Sequence, residues 1–333
     1  MITFGVIGYG RFGKFWTKRL LALGKTYVFE PRKDKQKPKG RISAQSLEHL
    51  LSKKIDILFL AMPISQIEKV CKDIRGLLNP KTLVADVCSV KVYPSQVMKK
   101  ILPKNLQLIG IHPLFGPDSA GNTKTLKGFK IVVCPLRVNK KKLTEFIKIL
   151  KSTGAGIIFT TPEKHDRQMA NSQALIHFIG RGIENLNLRP QKIATKDYES
   201  LLHIKDMVVH DSRRLFFDMH NFNPFAKKLR KKLLSNLREV EFRMQTEAKD
   251  LNSLRNVINN IDGEIIQLLS NRFKIAKYIG QLKNTVGKKI FDADREKKLA
   301  KDHERLGRRL NINQRLLNEI FNLVIKESKK LQQ

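Results

Sequence analysis

Residues 2–7 form a short apolar run that ends in the glycine fingerprint Gly8-Tyr9-Gly10-Arg11-Phe12-Gly13, and a segment with helical spacing begins directly after it. Few patterns constrain a fold more. The glycines permit a tight turn and let a backbone approach a pyrophosphate closely. The helix that follows offers free N–H groups and a partial positive charge to the same anion. Strand, turn and helix in that order predict the first unit of a dinucleotide-binding sheet. Gly8, Gly10, Arg11, Phe12 and Gly13 are the expected cofactor contacts. Glu30 ends the next apolar stretch, twenty residues after Gly10. A carboxylate there accepts from ribose hydroxyls and repels a 2′-phosphate, which favours NAD. Arg32 and Lys33 lie close by, and if they held a 2′-phosphate the cofactor would be NADP.

Apolar runs at 27–30, 55–62, 83–87, 106–111, 129–134 and 156–159 read as further strands, with helical patterns between several of them. The run 55–62 is continuously apolar, as in a strand buried on both faces of a parallel sheet. A doubly wound α/β domain is therefore expected over residues 1–161. After Pro162 the strand signals stop. Residues 163–186, 196–217 and 224–248 read as helices, giving an all-α domain over 162–247. No Gly or Pro falls between Phe225 and Asp262, and Asp250 is placed to cap a new helix. From Leu254 the apolar positions step by alternating threes and fours through Ile258, Ile261, Ile265 and Leu268. That is a heptad-like stripe that faces another helix. Two more helices, near 294–306 and 313–331, complete a helical domain over 248–333.

The 333 residues carry a net charge of +35. Lys and Arg are spread along the chain, with a denser run at 227–232, and no RNA-binding aromatic motif, zinc knuckle or Gly/Arg repeat accompanies them. No nucleic-acid function is expected, although a positive field attracts small polycarboxylates. No apolar run is long enough to cross a membrane, and no signal-peptide pattern precedes the first strand. Cys71, Cys88 and Cys134 are scattered, with neither metal nor disulfide spacing. They suit a reducing cytoplasm and imply no metal.

Two segments end strands on the side where such sheets bind ligands: Asp86-Val87-Cys88-Ser89-Val90-Lys91 and His112-Pro113-Leu114-Phe115-Gly116-Pro117. A histidine there suits a base that takes a hydroxyl proton as hydride leaves the carbon. The residues, from about Met1 to Arg214, resemble the prephenate dehydrogenase family, which has Asp-x-x-Ser-x-Lys and His-Pro-(Met/Leu)-Phe-Gly-Pro in this order. The resemblance implies that His112 is the catalytic histidine on the ring hydroxyl and that Ser89 lies beside it and the nicotinamide. It places Lys91 at the substrate. His165-Asp166 and then His177 match the helix that bears a second substrate-facing histidine. Arg213-Arg214-Leu215-Phe216 resembles the segment whose arginine grips a substrate carboxylate. That role maps to Arg214, with the register open by one to Arg213. The implied reaction is oxidative decarboxylation of prephenate, with arogenate as the alternative substrate.

The last eighty residues carry a second set of charges. Arg272 and Lys283 are about three helical turns apart and lie on nearly one face. Asp292, Arg295 and Glu296 share a face of the next helix. Cations with a few carboxylates suit a small ligand with two carboxylates and a hydroxyl, handled by electrostatics and shape. From Leu251 to Gln333 the segment resembles the all-helical chorismate mutases without a gap. The resemblance implies that Lys283 and Gln332 hydrogen-bond the ether oxygen during the rearrangement of chorismate to prephenate. Arg255, Arg272 and Arg295 would anchor the substrate, Glu296 with Asp292 would receive the ring hydroxyl, and Ser328 fills a further contact position. Together the resemblances imply a bifunctional enzyme of tyrosine synthesis. The alternative is a dehydrogenase whose helical tail only dimerises or regulates. Arg255 and Arg272 are too far apart on one helix to share a ligand, so a homodimer is expected.

Overall fold

The computed structural model describes residues 1–32, 40–247, 250–287 and 292–332. The chain divides into two compact units, residues 1–235 and 236–333. Lys33 and the rest of the basic loop lie outside the described residues, as do Ala248 and Lys249 at the expected start of the last domain.

In the first unit, strands and helices alternate: β1 (Thr3–Ile7), α1 (Arg11–Leu21), β2 (Lys25–Phe29), α2 (Leu47–Leu51), β3 (Ile57–Leu60), α3 (Ile67–Ile74), β4 (Leu83–Asp86), α4 (Val92–Ile101), β5 (Gln107–Pro113), α5 (Pro117–Ala120), β6 (Lys130–Arg137), α6 (Lys140–Ser152) and β7 (Gly156–Phe159). They build one sheet in the order β2-β1-β3-β4-β5-β6-β7. The apolar strands explain the burial. Alternate residues point to opposite faces, so Phe4, Val6, Phe59 and Ile109 enter one core while Ile7, Leu58, Leu60 and Leu108 enter the other. Helix α3 covers the second face with Ile67, Val70, Cys71 and Ile74, the spacing of one helical stripe.

The first five strands in this order are mutually parallel, and β6 runs antiparallel to β5. The connection between β5 and β6 holds only the four-residue α5, too little helix to carry the chain back for a parallel return. The thirteen-residue α6 does provide that crossover, and β7 pairs parallel to β6. The carboxyl ends of β1, β4 and β5 consequently share one edge of the sheet.

The helical part of this unit contains α7 (Pro162–Met169), a π-helical turn at Ala170–Ala174, α8 (Leu175–Gly182), α9 (Lys196–Val209), α10 (Arg213–Phe222) and the start of α11 (Ala226–Thr246). The helix expected over 196–217 is split. Ser212 turns its hydroxyl onto the Leu215 amide at 3.2 Å and starts a new helix. A serine at that point offers the backbone an alternative to continuing the first one. The second unit begins within α11 and contains α12 (Leu251–Thr285), α13 (Ala293–Arg309) and α14 (Gln314–Lys330). Asp250, Asp292 and Asn313 cap these three helices through their side chains.

Candidate active sites

The dinucleotide turn is built as its glycines require. Gly8 has φ +105°, and a Cβ there would lie 2.5 Å from the Ala61 carbonyl oxygen. A Cβ on Gly13 would meet the Gly8 carbonyl at 2.2 Å. Gly10 precedes α1 with no side chain capping its first amides, which leaves that helix end to an anion. The residues present therefore fit a dinucleotide pyrophosphate. Glu30, fully buried at the end of β2, accepts from the Tyr9 amide at 2.6 Å and from Arg32 Nε and Nη2, each at 2.8 Å. Burial pushes its pKa up, but the hydrogen bonds from Arg32 and Tyr9 outweigh it and hold the carboxyl below its usual value. Phe12 packs against Phe15 and Trp16. Arg11 pairs with Asp118 and donates to the His210 carbonyl at 2.6 Å.

On the same carboxyl edge of the sheet, at the ends of β4 and β5, lie the expected catalytic groups. His112 is buried in β5, and its Nδ1 is 2.9 Å from Nε2 of His165. His165 Nδ1 lies 2.7 Å from Asp166 Oδ1. Burial drives the His112 pKa well below its ordinary value, and nearby His165 and Lys91 push the same way. Burial also lowers that of His165, against the opposing hydrogen bond from Asp166. The Ser89 hydroxyl is buried with no partner among the described residues. Lys91 is placed differently from a substrate contact. It is completely buried, its ammonium binds Asp86 and donates to the Ile111 carbonyl at 2.7 Å, and its amide donates to Asp166 at 2.7 Å. It braces the strand end that carries His112.

His177, on α8, is buried, with Nε2 3.8 Å from Asp211 Oδ2 and Nδ1 unpartnered among the described residues. Arg214 donates to the Ser65 hydroxyl from Nε at 3.3 Å and Nη2 at 3.1 Å, and Ser65 in turn donates to Asp218 at 2.8 Å. Arg213 begins α10 beside it. The sequence pattern assigns His165 and Asp166 no role of their own and does not point to Asp211. No spacing rule identifies Asp211, because its place depends on the break between α9 and α10.

In the second unit, Arg272 reaches from α12 to the buried Ser328 hydroxyl on α14 and to the Val324 carbonyl at 3.3 Å. Gln332 lies against Gly280, one turn of α12 before Lys283, and its Oε1 is buried with no partner among the described residues. Glu296 binds Lys329 at 2.8 Å. Asp292 accepts from the Arg295 amide at 2.9 Å. Arg255 is exposed near the far end of α12, and the structure does not bring it to Arg272. Among the described residues, no cluster of three or more His, Cys, Asp or Glu side chains is placed to hold a metal.

These features define a dinucleotide-binding oxidoreductase domain with an appended helical unit that carries convergent cations. Residues 33–159 match the family profile "Prephenate dehydrogenase, nucleotide-binding domain", and residues 254–333 match "Chorismate mutase type II". Residues 183–256 match "TYRAAT1-like, C-terminal domain". The chain is 29% identical over 255 residues to arogenate dehydrogenase 2, chloroplastic, of Arabidopsis thaliana, covering 74% of this chain and 69% of that protein. It is 40% identical over 79 residues to the bifunctional chorismate mutase/prephenate dehydratase of Buchnera aphidicola, covering 24% of this chain and 20% of that enzyme. Two further dehydrogenases are spanned over 36% and 44% of their length. The crystal structure of prephenate dehydrogenase from Aquifex aeolicus, in complex with hydroxyphenyl propionate and NAD+, shares the fold. Its TM-score is 0.54 at 16% identity, covering 80% of this chain and 98% of that one. The chain joins a nucleotide-binding domain of the prephenate dehydrogenase family to a type II chorismate mutase domain.

Proposed function

We propose that the protein is a bifunctional enzyme. Residues 248–333 convert chorismate to prephenate. Residues 1–161 bind NAD, and with the helices of 162–247 they oxidise and decarboxylate prephenate to 4-hydroxyphenylpyruvate. The supporting observation is the union in one chain of His112, buried at the strand ends on the same side of the sheet as the dinucleotide turn, with a helical unit that sets Arg272 on Ser328 and packs Gln332 one turn from Lys283. The turn from Gly8 to Gly13 and Glu30 would hold NAD, which when bound would supply the acceptor for the hydride that leaves the ring carbon bearing the hydroxyl. His112 takes the hydroxyl proton as the hydride departs. The electrons of the breaking carbon–carboxylate bond then make the ring aromatic, and the proton returns to the oxygen. Ser89 and His177 offer the ligand atoms that have no partner among the described residues, and Arg214 supplies a cation for a carboxylate. In the mutase unit, Arg272 and Arg255 anchor carboxylates, while Lys283 and Gln332 stabilise the ether oxygen.

One observation favours the second reading, in which arogenate is the substrate. Asp211 places a carboxylate beside His177, and arogenate carries an ammonium where prephenate carries a ketone. The Asp211→Asn variant should shift the ratio of kcat/KM values toward prephenate. An unchanged ratio removes this reading. The exposed apolar stripe of α12 supports a homodimer, and the three buried free thiols suit a reducing cytoplasm. The deciding experiment supplies the full chain with chorismate. Prephenate should accumulate without NAD, and 4-hydroxyphenylpyruvate, carbon dioxide and NADH should appear with it. No turnover of chorismate, or no NADH from either prephenate or arogenate, overturns the proposal.

A further inference from the structure

The chain His112–His165–Asp166 is more than a local contact, because its donors and acceptors can be assigned from one fixed end. Asp166 lies on α7 and closes the amino end of α4. Its Oδ1 accepts from the Lys91 amide at 2.7 Å and its Oδ2 from the Val92 amide at 2.8 Å. Backbone amides only donate, so both oxygens serve as acceptors. His165 Nδ1, 2.7 Å from Oδ1, therefore carries the hydrogen. A neutral imidazole has one N–H, so His165 Nε2 holds a lone pair. That lone pair accepts from His112 Nδ1, 2.9 Å away. His112 Nε2 is left as the basic atom.

We propose that His165 and Asp166 form a positioning relay that fixes the tautomer and ring orientation of His112, so that its Nε2 is presented as the base toward the substrate hydroxyl. This rests on the reading of His112 as the dehydrogenase base. The relay also acts after proton transfer. The imidazolium formed at His112 donates from Nδ1 into a chain that ends on a carboxylate, which supports the positive charge within a buried site. The remainder of the molecule holds the relay in place. Asn223 donates to the Asp166 carbonyl at 2.8 Å. Lys91 gives its amide to Asp166 and its ammonium to the carbonyl just before His112, so one residue sets both ends. The other charged or titratable groups around the pair are Asp86 at the end of β4, Lys91, Glu163 on α7, and the thiols Cys88 and Cys134. Burial raises both thiols, Cys134 to about 12, so neither titrates near neutral pH.

The two ends of the His165 ring can be tested separately in the full-length protein. His165→Gln keeps an acceptor near the Nε2 position for His112, and His165→Asn keeps only the end near Asp166. His165→Asn should lower the dehydrogenase kcat about 10- to 100-fold. NAD affinity and the KM for prephenate should change less than about twofold, and the acid limb of the kcat/KM profile should move to lower pH. His165→Gln should recover part of the loss. Retained NAD affinity together with an unchanged thermal unfolding transition reports that the first unit is folded, and chorismate turnover reports the same for the second. Wild-type kcat and an unmoved acid limb in both variants overturn the relay. A loss confined to KM or to NAD affinity does so as well, because it marks a merely structural role. His112→Asn is measured in parallel. If that variant keeps its rate, the reading of His112 as the base fails rather than the relay.

Discussion

At the scale of single residues, charge and burial decide the chemistry. His112 must be neutral to accept a proton. Its pKa is held well below the ordinary value, chiefly by burial, so it is neutral across physiological pH. The kcat/KM for the dehydrogenase should therefore stay flat from about pH 8 down through the normal histidine value of about 6.5, and fall only at more acid pH. A midpoint at or above that value would contradict the burial argument. His112→Asn should lower kcat by about a hundredfold or more while NAD still binds and mutase activity stays normal. Glu30 gives a second test. Its carboxylate is held by the Tyr9 amide and by Arg32. Glu30→Ala removes the repulsion toward a 2′-phosphate and releases Arg32 from that pairing. The preference for NAD over NADP, read from kcat/KM, should shift toward NADP by about tenfold, about 1.4 kcal/mol. A wild type that already prefers NADP would show that Arg32 outweighs Glu30.

At the scale of elements, the sequence was most legible where pattern and local chemistry agree. The continuous apolar stretch around Leu58 and Phe59 became a strand with every residue buried, and Asp250 caps α12 through the Ser253 amide at 2.9 Å. Legibility failed where a single side chain competes with the periodic pattern. Helical spacing runs through 196–217, yet α9 ends at Val209 and Ser212 caps a new helix at Arg213, and that break sets Asp211 beside His177. Lys91 misled for a related reason. Motif position says that a lysine lies near the site, but only packing shows its ammonium turned inward onto Asp86 and Ile111. In the mutase unit, helical spacing alone puts Arg272 and Lys283 on nearly one face and Asp292, Arg295 and Glu296 on another. What spacing cannot show is how closely the helices approach. Gly280 makes that approach testable. A Cβ there would lie 2.7 Å from both Cα and the carbonyl oxygen of Gln332. Helix propensity alone would favour alanine by about 1 kcal/mol. Contact with backbone atoms, which cannot swing aside, should reverse that sign. Gly280→Ala should displace the end of α14 and lower mutase kcat/KM about tenfold, with dehydrogenase activity unchanged. A stabilised, fully active variant would show that Gly280 and Gln332 are not packed this closely.

At the scale of the whole molecule, the open question is what covers α12. The helix runs unbroken for 35 residues, about 52 Å at 1.5 Å per residue. Along it Leu254, Ile258, Ile261, Ile265 and Leu268 are each at least 40% exposed. Ile266, Leu269 and Phe273 line an open, largely apolar groove on the same unit. A stripe of this size at heptad-like spacing is the pattern of a helix that pairs with another. A second copy of α12 meets that need and also resolves the placement of the arginines. Arg255 and Arg272 are seventeen residues apart on one helix, about 25 Å along its axis and about 260° around it. One small ligand cannot touch both from a single chain. An antiparallel pair of α12 helices would bring Arg255 of each chain toward Arg272 of the other and create two shared sites. Arg255→Ala and Arg272→Ala chains should each be nearly inactive as mutases. Mixed and reassembled, they form heterodimers in which one site has both arginines and the other has neither. Mutase activity should then return, approaching half the wild-type turnover per heterodimer, while dehydrogenase activity is unaffected throughout. An inactive mixture after verified subunit exchange, or an active monomer in sedimentation, would place all the mutase chemistry within one chain and leave the exposed stripe of α12 to some other partner.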